Sequence, residues 1–204
     1  GSIRTLLKMG YHRTTVELEK KNNYSTTAFG SNVQWHRNGF QLGLTALYSQ
    51  FSRPLCPNTE QNHRTDYPQG YNFWNIGANY GYINSRWNVN GESAMSGNGA
   101  FATLNSASFQ ASKQVAITAI QRYYSAKYWA LNGNAFSEGG QTRNEMGLLL
   151  GLAWTINRFL TANIYSDYAY FAKPRYLASV ASCAWDNLFS TVYTRNNFSF
   201  LVRY

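Results

Sequence analysis

Between Glu145 and Trp154 the chain alternates. Met146, Leu148, Leu150, Leu152 and Trp154 hold the even positions, while Glu145, Gly147, Gly151 and Ala153 fall among the odd ones. A turn at Thr155, Ile156 and Asn157 is expected next. Beyond it Leu160, Ala162, Ile164, Tyr168 and Tyr170 alternate with Thr161, Asn163, Asp167 and Ala169. A period of two on both sides of a tight turn predicts a β-hairpin with one apolar face and one polar or small face.

The same unit recurs along the chain. Strands are expected at 3–9, 25–36, 40–51, 72–83, from 87 onward, 101–112, 115–124, 145–154, 160–170, 185–194 and 198–204, eleven in all. In 25–36, Phe29, Val33 and Trp35 oppose Gly30, Asn32, Gln34 and His36; in 72–83, Trp74, Ile76, Ala78, Tyr80 and Tyr82 oppose Asn75, Gly77, Asn79 and Gly81. Strand 101–112 is ambiguous, because both of its faces are small and polar. Asn38-Gly39 has the chemistry of a two-residue hairpin turn. Thr14-Thr15-Val16-Glu17-Leu18-Glu19-Lys20-Lys21 has helix formers with a Thr at the N-cap, and predicts a short helix within a loop. Pro54, Pro57 and Pro68 mark 52–71 as a long loop, and 125–143 and 172–183 are two more.

Connections alternate between long and short. Short turns on one rim with long loops on the other are expected of an antiparallel up-and-down transmembrane β-barrel, a meander with short periplasmic turns and long extracellular loops. Aromatic positions agree. Trp35, Phe40, Trp87, Trp154 and Phe159 flank short turns, and Tyr48, Tyr80, Tyr82, Tyr123, Tyr168 and Tyr170 sit toward the long loops, so both would form membrane-interface girdles. A soluble ligand-binding β-barrel would instead turn its apolar face inward. Its outer face would then be the one rich in Gly, Asn, Ser and Thr and poor in Lys and Glu, which is unlike a solvated surface. Eleven strands leave the first and last running the same way. The expectation is therefore a single barrel domain over 1–204 that is an incomplete piece of a longer barrel.

Composition narrows the picture further. Charged residues make up 13% of the chain and aromatics 17%, and no apolar run reaches the length of a spanning helix. The net charge of +9 raises nucleic-acid binding, but the 18 Lys and Arg are scattered, with Lys20-Lys21 the only adjacent pair. No nucleic acid is expected as a partner. Expected partners are outer-membrane lipid, the barrel-assembly machinery and a small solute in the lumen, and the expected location is the cell outer membrane. Cys56 and Cys183 lack metal-ligand spacing; both are placed in long loops on one side and expected as free thiols, with a disulfide in an oxidising compartment as the alternative. No metal or cofactor is expected.

Seven charges fall on the face expected to point inward: Arg4, Lys8, Glu92, Arg122, Glu145, Asp167 and Arg203. Such charges either line a lumen that selects solutes or anchors a plug, or pair with one another to fill a narrow barrel. The second is favoured, because small barrels fill their interiors with side chains. A surface hydrolase is the enzymatic alternative. His12, His36 and His63 are the histidines available, and none comes with a nucleophile motif, so no catalytic residue is assigned.

Tyr11-His12-Arg13-Thr14 with Glu17-Leu18, Gly91-Glu92, Ala102-Thr103-Leu104-Asn105, Ala135-Phe136-Ser137-Glu138, and Asn144-Glu145-x-Gly147 form scattered short matches along the chain. In these it resembles the barrel portion of large Bacteroidetes proteins that carry helix-hairpin-helix repeats ahead of an outer-membrane barrel. The resemblance implies a porin-like Gram-negative barrel with an aromatic girdle. It brings no transport substrate and no active site, and the helix-hairpin-helix element itself is absent here.

Overall fold

The computed structural model describes residues 1–6 and 13–204. Among these, ten strands form one antiparallel sheet in which every strand pairs with its sequence neighbours. They are β1 (Thr26–Arg37), β2 (Phe40–Leu55), β3 (Gly70–Ile83), β4 (Trp87–Ser96), β5 (Phe101–Gln110), β6 (Val115–Tyr124), β7 (Glu145–Asn157), β8 (Leu160–Phe171), β9 (Ser182–Arg195) and β10 (Phe198–Arg203). Ahead of them lies α1 (Thr15–Glu19). Thr14 accepts from Glu17 N, and the Glu17 carboxylate accepts from Thr14 N, a reciprocal capping box. Asn38 and Gly39 both take positive φ, 49° and 82°, as a primed two-residue hairpin turn requires.

The strand expected at 3–9 is not part of the sheet where it is described. Ile3 makes an isolated parallel bridge to Leu55: its N–H donates to Pro54 O at 2.8 Å, and its own carbonyl accepts from Cys56 N at 2.8 Å. The reason is unequal strand length. β2 runs on to Leu55, whereas β1 begins opposite Phe51, so the end of β2 presents an edge that Ile3 fills. Leu7, Lys8, Met9 and His12 lie outside the described residues.

The count of eleven is thereby corrected to ten among the described residues. With ten strands, β1 and β10 run antiparallel to one another. The sheet is nevertheless open: β1 pairs only with β2, and β10 only with β9.

Three boundaries also move. β7 continues to Asn157 with a register shift after Thr155, so the turn is Arg158-Phe159, where Asn157 Oδ1 accepts from Phe159 N and Leu160 N. β2 absorbs the first part of the expected loop at 52–71. β9 starts at Ser182, which puts Cys183 on a strand and not in a loop; both cysteines are free and exposed.

The strands are staggered. Starting at Arg37, the last residue of β1, the pairing runs through Phe40, Tyr82, Val89, Ala107, Ala119, Leu150 and Ser166. It ends at Asn187, in the middle of β9 and far from its end at Arg195. This tilt in one direction is the shear that a sheet needs in order to curl.

Register also fixes the faces. Phe29, Val33 and Trp35 of β1 share a face with Phe40, Leu42, Leu44 and Tyr48, then with Trp74, Ile76, Tyr80 and Tyr82. On the far side the same face carries Met146, Leu148, Leu150 and Trp154, Ile164 and Tyr168, and Trp185 and Phe189. Tyr82 is half-buried and the others are exposed: Val33 is 69% accessible, Phe29 67% and Leu44 63%. The opposite face holds the buried polar residues Ser49, Arg122, Glu145, Asp167 and Ser190. Among the described residues, two small clusters of buried apolar side chains lie at the long-loop end. One joins Ala100, Ala102, Tyr124 and Tyr128, and the other Ile3, Phe51 and Leu55.

Candidate functional site: the charged polar face

The polar face has its chemistry concentrated on three adjacent strands. Arg122 of β6 stands opposite Gly147 of β7, which in turn stands opposite Ala169 of β8. Glu145 and Asp167 lie two residues from those positions on the same face. The Arg122 guanidinium crosses Gly147 to reach both, donating from Nε to Glu145 Oε1 and from Nη1 to Asp167 Oδ1 at 2.8 Å. Only glycine leaves room for it, since a Cβ at 147 would overlap the guanidinium carbon. Arg122 and Glu145 side chains are fully buried, and that of Asp167 is 7% accessible.

A loop completes the cluster. Residues 125–144 fold over the polar face: Asn75 on β3 donates to Trp129 O at 2.7 Å, and Asn98 donates to Lys127 O at 2.7 Å. The segment then returns to β7, where Glu138 N and Gly139 N donate to the two oxygens of Glu145, each at 2.9 Å. Phe136 lays its ring 5.0 Å from the Arg122 guanidinium carbon, and its carbonyl accepts from Tyr124 at 2.7 Å. One guanidinium against two carboxylates leaves one excess negative charge, and the two backbone N–H groups meet it. Arg122 Nη2 alone is left without a partner.

Of the seven charges expected on the inward face, the structure brings together three: Arg122, Glu145 and Asp167. Glu92 is on the same face but exposed, and outside the ion-pair cluster. Arg203 lies on that face too, exposed on the β10 edge. Arg4 is corrected: it is exposed beside the Ile3 bridge and lines a cavity under the long loops, not a strand face. Lys8 is outside the described residues. Of the residues expected in aromatic girdles, Trp35, Phe40, Tyr48, Tyr80, Tyr82, Trp87, Tyr123, Trp154, Tyr168 and Tyr170 all fall on the apolar face. Phe159 sits in the turn itself, between the guanidinium groups of Arg158 and Arg195 at 4.4 and 5.6 Å.

Alternation did not point to the Phe136 ring or to the N–H groups of Glu138 and Gly139, because a loop has no period. Nor did it indicate the loop layer, which encloses cavities of about 430, 470 and 360 Å³. Tyr67 borders all three. In this layer burial pushes the Tyr128 phenol above its ordinary value, with the field of Glu92 adding to it, and burial lowers Arg143.

Among the described residues, His36 and His63 each have one close side-chain partner. His36 Nε2 lies 3.2 Å from Gln34 Oε1, and the His63 ring meets Tyr176 edge-on. Among the described residues no group of three His, Cys, Asp or Glu is placed to hold a metal, and no helix is long and apolar enough to cross a membrane. Comparison with family models, with characterised proteins and with solved structures finds no match.

Proposed function

We propose that the chain forms the wall of an outer-membrane β-barrel whose interior is filled on one side by an ion-paired cluster and a folded-in loop. The observation that carries this reading is the inversion of the two faces. Large apolar side chains of β1, β2, β3 and β7 are exposed, while Arg122, Glu145 and Asp167 are buried on the other side. In water that arrangement is costly, at about 1.5–3 kcal/mol for each Leu, Ile or Phe left uncovered. In a bilayer the same face is matched to hydrocarbon, with the aromatic rings toward its two borders. The short turns then lie on the periplasmic rim and the long loops outside. The role that fits is structural, an occluded barrel.

One observation favours a solute path instead. Along β1 the polar face is uncovered, with Asn32 and Gln34 exposed, and Thr45 of β2 is exposed beside them. A channel would run beside these residues.

Both readings meet the same experiment. The chain, exported to an outer membrane, is expected to show heat-modifiable gel migration; a stable monomer in water without detergent would overturn the membrane reading. Planar-bilayer recording separates occluded barrel from pore. The occluded barrel conducts little until residues 127–142 are replaced by a short Gly-Ser linker, whereas a pore conducts with the loop intact.

A further inference from the structure

Arg122 is met by two carboxylates, and two backbone N–H groups meet the negative charge left over. A second set of guanidinium groups has no such provision. The cavity of about 430 Å³ under the long loops is lined by Arg4, Arg64 and Arg143, together with Tyr67, Tyr128 and Trp129, and among the described residues no Asp or Glu lines it. Arg64 and Arg143 both pack against the Tyr67 ring, 5.9 and 4.4 Å from its centroid, so one side chain sets the position of both. Arg64 Nε, Arg143 Nη1 and Trp129 Nε1 are buried donors with no hydrogen-bond partner. Asp66, whose field reaches Arg143, lines the neighbouring cavity, with Lys173 and Arg175. Positive charge held at a cavity without an internal counter-charge costs stability unless something supplies it.

We propose that this cavity binds an organic oxyanion, a carboxylate or phosphate carried on a body that packs against Tyr67 and Trp129. Guanidinium groups match the planar fork of a carboxylate or the edge of a phosphate, and the aromatic side chains bind the attached body by contact area. The site is built from loops and the amino-terminal segment. It stands whether or not the sheet lies in a membrane.

The test is titration calorimetry on the full chain in neutral detergent with four probes: phenyl phosphate, benzoate, inorganic phosphate and uncharged benzyl alcohol. Phenyl phosphate or benzoate, or both, bind with one-site stoichiometry and weaken as salt is raised, and the tighter of the two names the anion source. Inorganic phosphate binds at least tenfold more weakly than the better ring anion, and benzyl alcohol gives no heat. Arg143→Gln and Arg64→Gln each weaken binding at least tenfold, while Arg37→Gln, at the short-turn end of β1, leaves it unchanged. No binding by either ring anion, equal binding by benzyl alcohol, or wild-type affinity in both arginine variants would overturn the proposal. Should Arg143→Gln lose the folded gel band, Arg4→Gln replaces it, and unchanged binding there and in Arg64→Gln gives the same refutation.

Discussion

The hairpin of β1 and β2 and the three strands β6 to β8 are written in one alternating code, yet they end in different environments. Every residue of β1 is exposed, on the polar face as on the apolar one. On β6, β7 and β8 the polar face is buried at Arg122, Glu145, Asp167, Ala169 and Phe171. The difference is not in the strands. It comes from residues 125–144, which fold over one side of the polar face and leave the other open. Alternation therefore decides which way a side chain points, and the loop decides whether anything meets it there.

The largest break in this contrast is expected from Arg122→Met. Removing the guanidinium strands two buried carboxylates and costs about 3–5 kcal/mol. Arg37→Met at the exposed end of β1 changes stability by no more than about 0.5 kcal/mol. Denaturant unfolding in detergent compares the two, and equal effects would mean that the cluster is not closed as described. Replacing Arg122, Glu145 and Asp167 together by apolar residues of similar size restores much of the loss.

Next in size is a test of which face meets lipid. Leu44→Arg places a charge on the apolar face of β2 and costs about 2–4 kcal/mol near a bilayer midplane. Thr45→Arg, one residue on and on the open polar face, costs far less. Insertion into liposomes, followed by unfolding, reads the difference. The opposite ranking would turn the sheet inside out and remove the membrane reading.

A smaller effect sharpens the cluster itself. Gly147→Ala drives a methyl into the Arg122 guanidinium and costs about 1–3 kcal/mol as an overpacked site. At Gly151, four residues along the same face, a Cβ meets nothing nearer than 3.8 Å, and Gly151→Ala is close to neutral. Unfolding midpoints of the two variants settle whether the close approach at 147 is specific.

The smallest effect is in pH. Tyr128 is held neutral by burial, its folded value lying above the ordinary one near 10. As pH rises past about 10 the unfolded chain loses this proton first, so the stability present below that pH declines above it. Tyr128→Phe is expected to flatten this limb of the unfolding midpoint against pH. An unchanged slope would mean that Tyr128 is solvated.

Much of this was legible in the residues. Nine of the ten strands follow from alternation bounded by turn chemistry with shifted ends, and the tenth, β5, could be placed although its faces could not be told apart. A Thr ahead of helix formers marked α1, and Asn38-Gly39 set a hairpin turn, because these are local hydrogen-bond and backbone preferences that need no partner far away. Side-chain direction is also local, so Arg122, Glu145 and Asp167 could be assigned to one face before any register was known. Their meeting could not. It depends on the stagger that carries the pairing from Arg37 to Asn187, and on a glycine at 147 opposite Arg122. The tertiary structure alone decided that Ile3 bridges the free end of β2 instead of opening a strand, that Phe136 and two backbone N–H groups seal the cluster, and that Arg64 and Arg143 share the Tyr67 ring. Each of these is a contact between segments far apart in the chain, where loops have no period to betray them and only the assembled surfaces determine what is buried.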